Sequence, residues 1–402
     1  MSTSESQKHP AGQSVARRFA IGTSLFYAST LGVVGTYLPF FPVWLKAIGV
    51  DASWIGIITA VPSFSRFTIL PFVTAFAERR QILRETMMVM AFVTALGFTA
   101  VGMLHHPLAI LIVFSLTACT WTPLGPLTDG YALKGVARYG LDYGPMRLWG
   151  SAAFIVGAMG CGWLVDILDS KNLIWTIVAV AFLSATVSLG LVPLDAATRG
   201  AASLTRASGL LRKPLFLSII GASALIQASH AAYYIFASIT WQNAGLGGLT
   251  IAGLWSLGVL AEIVIFAISP RFTVSPTILI IIGAISGVVR WVITAQDPRI
   301  DVLTAVQLLH GLTFGITQVG TVALLVRSVP HHLLASAQGY LVATIGAVNS
   351  LAMVLSGLIY ARVGEGVYYV MALMALAGGV VMAVVRSRLD AQPSLSDERL
   401  TP

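Results

Sequence analysis

Apolar runs of about twenty residues recur along this chain from Phe19 to Val385, separated by short polar breaks. That is the length of α-helix needed to cross a hydrocarbon core of about 30 Å. Of the 402 residues 56% are hydrophobic and 10% charged, with a mean hydropathy of +0.85. A water-soluble chain carries about a quarter charged residues and cannot hide this much apolar surface in one core. The expected fold is an all-α membrane protein with twelve transmembrane helices. The spans are 19–45, 53–77, 86–104, 108–133, 146–165 and 172–192, then 215–241, 250–268, 277–296, 302–326, 338–361 and 366–385.

The first eighteen residues, MSTSESQKHPAGQSVARR, are too polar for a signal peptide, and the run that follows is long enough to span and lacks a small-residue cleavage site. With both termini cytoplasmic, eighteen Lys and Arg fall inside, and only Lys46, Lys171, Arg299 and Arg362 fall outside. That asymmetry obeys the positive-inside rule. The net charge of +8 is thus a topology signal and not a nucleic-acid footprint. Cys119 and Cys161 lie in different spans and imply neither a disulfide framework nor a zinc site. The adjacent pairs His105/His106 and His331/His332 fall in loops and point in different directions, so no metal site is expected.

A polar, basic stretch, PLDAATRGAASLTRASGLLRKP over 193–214, divides six spans from six. The expected organisation is a cytoplasmic tail over 1–18, a six-helix bundle over 19–192, a central cytoplasmic loop over 193–214, a second bundle over 215–385 and a cytoplasmic tail over 386–402. Within span 5, Ala153, Gly157 and Cys161 recur every four residues, as do Ala158 and Gly162, a pattern that lets helix backbones approach in lipid. Pro123 and Pro126 predict a bend in span 4.

Charged residues inside the membrane carry the functional reading, because each costs on the order of 3 kcal/mol at a span centre and needs a partner, a watery cavity or a task. They are Arg66, Asp129, Arg147, Glu262 and Arg290, with His230 and His310 beside them. Asp129 and Arg147 each lie nine residues from Arg138, so antiparallel spans 4 and 5 bring them to similar depth, to form an ion pair or share a substrate. The backbones of Glu262 and Arg290 differ in depth by roughly 10 Å, which a long arginine can bridge. Gln307, His310, Phe314, Thr317 and Thr321 form one mostly polar stripe on span 10, read as cavity lining. Gln227, His230 and Tyr234 form a similar face on span 7, and Trp255 shares a face with Glu262 on span 8. Purely structural roles compete throughout: a gating ion pair for Asp129 and Arg147, and interhelical hydrogen bonds for the two histidines. Three arginines face two acids, and an anionic substrate, a carboxylate held by Arg66 or Arg147, is the expected counter-ion. Tyr37, Tyr234 and Trp255 are then candidates to pack on its apolar or aromatic body.

Several segments narrow the reading further: YLPFFPVWLKAIGV in span 1, SRF around Arg66, LDYGPMRLWGSAAFIVG entering span 5, HAAYYIFASITWQNAG in span 7 and LWSLGVLAEIVIFAIS in span 8. Together they resemble the 3-phenylpropionate permease family of the major facilitator superfamily. The loop between spans 2 and 3, AFAERRQILR, keeps the superfamily's charge in Glu78, Arg79 and Arg80 but not its glycine. The resemblance implies two helical halves that rock about a midplane site, in a bacterial inner-membrane proton symporter for an aromatic or related organic acid. It implies a monomer with a small-molecule substrate, protons and the lipid bilayer as partners, no nucleic acid, and no cofactor beyond the proton gradient. A more distant similarity to the oligosaccharide:proton symporters, lactose permease among them, implies substrate contacts for Asp129 and Arg147 and proton coupling for Glu262, Arg290 and His310. Those symporters carry a second acid one turn beyond the histidine, where this chain has Thr313. Glu262 is therefore the default proton carrier. Neutral sugars, nucleosides and efflux of a small organic compound remain the alternatives, and the chain offers no nucleophile or metal constellation for an enzyme beyond Asp166 and Asp169, which lack nearby histidines.

Overall fold

The protein is described by a computed structural model covering residues 10–194, 209–330 and 333–391. Most of the expected central loop, the ends of both tails and the His331/His332 pair lie outside the described residues. Sixteen α-helices follow one another, with no strand among the described residues. They are α1 (Pro10–Ala47), α2 (Ala52–Thr68), α3 (Leu70–Arg80), α4 (Leu83–Gly102), α5 (Pro107–Trp121), α6 (Leu124–Tyr139), α7 (Tyr143–Ile167) and α8 (Leu173–Ser188). The second series is α9 (Pro214–Ala228), α10 (Ala231–Asn243), α11 (Gly248–Ile268), α12 (Pro276–Thr294), α13 (Ile300–His310), α14 (Thr317–Ser328), α15 (Leu334–Val363) and α16 (Val367–Asp390).

All twelve expected spans fall on helix, several of them on a broken pair. Span 4 breaks at Pro123, between α5 and α6, as its prolines predict. Span 2 turns by 47° between α2 and α3. Length and composition alone mark ten stretches as able to cross a membrane, or eleven when that bent pair is one. The last stretch, Leu334–Asp390, has 57 residues. That is about 85 Å of helix, nearly three hydrocarbon thicknesses. It is interrupted at Gly364–Gly366, where Gly364 adopts φ +55, between the two expected spans 338–361 and 366–385.

Local chemistry sets the helix ends. The Asp51 carboxylate accepts from the backbone N–H groups of Ser53 and Trp54 at 2.9 and 3.1 Å, capping α2. Pro107, Pro214 and Pro276 sit in first turns, where the missing N–H costs nothing. Inside the spans, hydroxyls return to the backbone: Thr59 donates to the Ile55 carbonyl at 2.7 Å and Thr117 to that of Val113 at 2.8 Å. Such bonds satisfy a polar side chain where water is absent.

Small residues bring the helices together. A methyl group on Gly157 would lie 2.7 Å from the Gly32 carbonyl oxygen, and one on Gly35 would strike the Phe154 carbonyl, so α1 and α7 meet backbone to backbone. The small-residue faces expected in span 5 therefore do pack. Contacts between the helices before residue 195 and those after 208 run mainly along α2 with α15 and α7 with α11. Gly56 meets Gly357, and Gly162 meets Gly248, at distances that leave no room for a Cβ. The Asp166 carboxylate, from the end of α7, accepts from the Gly248 and Leu249 N–H groups at 2.6 and 3.2 Å and so caps α11 from across this junction. Lys46 donates to Asn243 nearby. Lys46 is at the end of α1 opposite Pro10.

Candidate functional site

Two charged clusters stand out, one in each series of helices. In the second, Arg290 on α12 is completely buried. Its guanidinium lies against a contacting pair of aromatic rings, 4.7 Å from the Tyr233 ring and 4.6 Å from that of Trp291, whose centroids are 5.9 Å apart. Nη1 donates to His310 Nδ1 at 2.9 Å and to Thr313 Oγ1 at 3.2 Å, while Nη2 donates to Gln307 Oε1 at 3.1 Å. Nε has no partner, and no ion pair among the described residues involves this arginine.

An arginine only donates, so His310 Nδ1 must accept, and the imidazole proton sits on Nε2. That atom faces Glu262 Oε2 at 3.7 Å. Glu262 and Arg290 are thus linked through His310, and the direct bridge expected between them does not form. The roughly 10 Å difference in depth explains why: Arg290 is held against Tyr233 and Trp291, and the imidazole fills the gap. His230 extends the chain. Its Nδ1 donates to the Gln227 carbonyl at 3.0 Å, which leaves Nε2 to accept from Thr313 Oγ1 at 2.9 Å. Thr313, at the position where an acid was missing, is the hydroxyl that joins Arg290 to His230.

Backbone irregularities aim these groups. Helix breaks after Ala228 and resumes at Ala231, which puts His230 at the step and not on a continuous helical face. Between α13 and α14 the chain makes a wide π-type turn over Gly311–Ile316. At Gly311 this turn packs closely on α11, where a methyl group would lie 2.7 Å from the Ala261 carbonyl oxygen. Gln307, His310, Thr317 and Thr321 are buried in this packing. The stripe expected to line a cavity is therefore mostly internal structure, with Phe314 only partly buried.

The first cluster is looser. Asp129 on α6 is half-buried and accepts through one carboxylate oxygen from two phenols, Tyr27 at 2.6 Å and Tyr143 at 2.8 Å. Arg147 on α7 lies over the Tyr27 ring, 5.6 Å from its centroid. The ion pair expected between Asp129 and Arg147 is absent among the described residues; both phenols share one carboxylate oxygen, and Arg147 lies over the Tyr27 ring instead. Arg147 instead lies within electrostatic reach of Glu262 across the α7–α11 contact. Arg66, in the last turn of α2, is exposed, yet its Cβ lies beside Gly346 of α15, and its charge is felt at Tyr234. It faces the space between the two series of helices and not lipid alone. Neither Arg66 nor Arg147 joins an ion pair among the described residues.

Tyr234 is partly buried beside His230, at 5.8 Å, and Trp255, at 6.2 Å. Trp255 is buried, donating from Nε1 to Ser238 Oγ at 2.9 Å. Tyr37 does not join them: it packs with Phe41, Phe114 and Trp121 in an internal aromatic cluster. Among the described residues no three metal-ligating side chains gather. Tyr27, Tyr143, Tyr233 and Trp291 hold the charged groups and were not expected as partners. A phenol or indole in an apolar run gives no sequence signal unless its charged neighbour is already known.

The model of the MFS_1 like family matches residues 21–371. The chain belongs to that family, within the major facilitator superfamily. It is 32% identical over 371 residues to a probable 3-phenylpropionic acid transporter of Escherichia coli (strain K12), covering 90% of this chain and 95% of that one. The maltose permease of Geobacillus stearothermophilus is 23% identical over 298 residues, 73% of this chain and 75% of its own. Among solved structures, the nucleoside transporter NupG superposes with a TM-score of 0.78 at 14% identity, over 93% of this chain and 99% of that one. The protein is a multi-pass membrane transporter with this fold, and not an enzyme.

Proposed function

We propose that the protein is a secondary active transporter that takes up an aromatic or related organic acid together with protons, by alternating access. On this reading it is a monomer in a bacterial inner membrane with both termini cytoplasmic. Two six-helix halves, 19–192 and 215–385, are joined by the loop 193–214, and the proton gradient is the only energy source. The observation that carries it is the imbalance of charge at the junction of the halves. Arg66 and Arg147 reach it without an acid partner, Asp129 being held by two tyrosines, while Glu262 is the one acid beside them. A substrate carboxylate supplies the missing anion, with a bidentate arginine bond as its anchor. Tyr234, with Trp255 behind it and His230 at its side, forms the aromatic wall for the body of the substrate.

Glu262 is the proton carrier in this proposal. His310 presents its Nε2 proton toward the carboxylate, and Arg290 fixes that tautomer, so the pair senses whether Glu262 is charged. When the carboxylate is protonated, the unpaired positive charge of Arg147 is free for substrate, which links the two loads. The name of the Escherichia coli relative supports an aromatic acid. A neutral sugar is the second reading, supported by the maltose permease relative. The test is uptake of labelled 3-phenylpropionate into proteoliposomes under an inward proton gradient, with and without protonophore. Accumulation that needs the gradient and is lost in Glu262→Gln supports the proposal. Full uphill uptake by Glu262→Gln removes Glu262 as carrier, and maltose competing where 3-phenylpropionate does not would transfer the substrate assignment to sugars.

A further inference from the structure

The first turns of α1 and the end of α8 enclose two adjoining clefts that the transport mechanism does not use. One, of about 280 Å³, is lined by Val15, Arg18, Arg84 and the turn Leu189–Pro193. The other, of about 360 Å³, continues from Arg18 along Ile21, Gly22 and Leu25 against Thr186, Val187 and Gly190. Arg18, Ile21, Gly22 and Leu25 share one face of α1 at i, i+3, i+4 and i+7. Arg18 is therefore the charged head of a groove that runs about 10 Å along an apolar wall.

The groove exists because its floor is backbone. A methyl on Gly22 would come within 3.2 Å of the Gly190 carbonyl oxygen, so the helices touch where neither has a side chain. Its walls are open: Ile21 is 48% and Leu25 53% exposed, and Leu189 at the mouth 51%. Arg18 is exposed and joins no ion pair among the described residues. Arg84 stands at the mouth, donating from Nε to the Leu191 carbonyl at 2.6 Å, with Glu85 3.5 Å from Nη1. Arg18 immediately precedes the apolar span, which puts it at headgroup level, with the residues one and two turns on at acyl depth.

We propose that this groove is a specific site for an anionic phospholipid, its phosphate on Arg18 at the Arg84 side and one acyl chain along Ile21 and Leu25. Charge complementarity and the step from cation to apolar wall select a lipid: a free phosphate would leave the two-turn apolar wall unused. A zwitterionic lipid fits the wall but brings an ammonium group toward Arg18, the cation of the groove without an acid beside it among the described residues. The leaflet is the cytoplasmic one if the proposed orientation holds, and the site itself does not depend on substrate or coupling.

The test is native mass spectrometry of the purified protein titrated with equal amounts of phosphatidylglycerol and phosphatidylethanolamine. The wild type should retain phosphatidylglycerol preferentially, and Arg18→Gln should cut that preference about fivefold, the worth of one interfacial arginine. Arg17→Gln is the matched control, since it removes the same charge one residue away and outside the groove. Gly190→Leu, whose Cβ meets nothing closer than the Val187 carbonyl at 3.4 Å, should fill the groove and lower retention of both lipids. Equal losses in Arg17→Gln and Arg18→Gln would reduce the effect to general surface charge and overturn the site. Unchanged lipid retention in Gly190→Leu, with inorganic phosphate competing away the phosphatidylglycerol, would make it a free-anion site and overturn the lipid assignment.

Discussion

The two charged clusters solve the same problem in opposite ways. Around Arg290 a full cation is completely buried and met at both terminal nitrogens by neutral groups, His310, Thr313 and Gln307, against the Tyr233 and Trp291 rings. Around Asp129 the charges are half-open, and the acid is held by two phenols in place of the arginine beside it. A buried cation without a counter-ion depends on the bonds its terminal nitrogens do make, so that cluster is intolerant of change. A half-open cluster leaves an arginine available, which is what a substrate anion requires. On the proposed function, the first series supplies the open arginines for the anion, and the second supplies the coupling groups and the Tyr234 and Trp255 wall.

The largest expected effect tests the buried side. Arg290→Ala removes three hydrogen bonds from buried acceptors and leaves a cavity beside Tyr233 and Trp291, a loss of about 3 kcal/mol in stability. It should read as a clear drop in melting temperature in detergent, together with loss of transport. Arg290→Lys keeps the charge without the planar fork and should recover only part of the stability. A protein whose melting temperature is unmoved by Arg290→Ala would break the contrast, because the cation would then be a mobile functional group like Arg147.

The comparison also separates what the sequence carried from what it did not. The spans, their bends at Pro123 and the tight packing of Gly157 were legible because hydropathy, proline and small residues act locally or along one helix. Counting residues from Arg138 sets Asp129 and Arg147 level, and both side chains meet Tyr27. Azimuth and partner choice were not legible. Tyr27 lies 102 residues before the Asp129 it donates to, and His230 meets Thr313 across 83 residues. The step at His230 and the wide turn after His310 carry no proline, and both re-aim side chains that a regular helical count assigns to other neighbours. Glu262 and Arg290 were expected to meet directly, and the His310 ring stands between them, in contact with both.

On the open side, Arg147→Ala should leave the melting temperature nearly unchanged and raise KM for an organic acid about tenfold, the worth of one charge-assisted bond. An equal rise for a neutral substrate would indicate a shape effect and not anion recognition. Smaller again is Asp166→Ala, which removes the cap on α11 supplied from α7. Losing it should cost about 1 kcal/mol, read as a lower melting temperature. Because this tie joins the end of α7 to the start of α11, a cysteine pair placed there should crosslink more slowly in the variant.

The smallest effect is the sharpest on the contrast itself. Tyr143→Phe deletes one of two donors to the same Asp129 oxygen, and because that carboxylate is half-open to water, stability should fall by only about 0.5 kcal/mol. The consequence for charge is larger. A carboxylate with one phenol gone is freer to turn toward Arg147 and compete with a substrate anion, so KM for an organic acid should rise two- to threefold, a coupling of roughly 0.5 kcal/mol. Adding Asp129→Asn to Tyr143→Phe removes the competing charge, and KM should then return toward that of Asp129→Asn alone. Initial uptake rates across this double-mutant cycle measure the interaction directly. If the two substitutions are simply additive, the phenols only tie helices together, and Arg147 owes its freedom to its position over the Tyr27 ring.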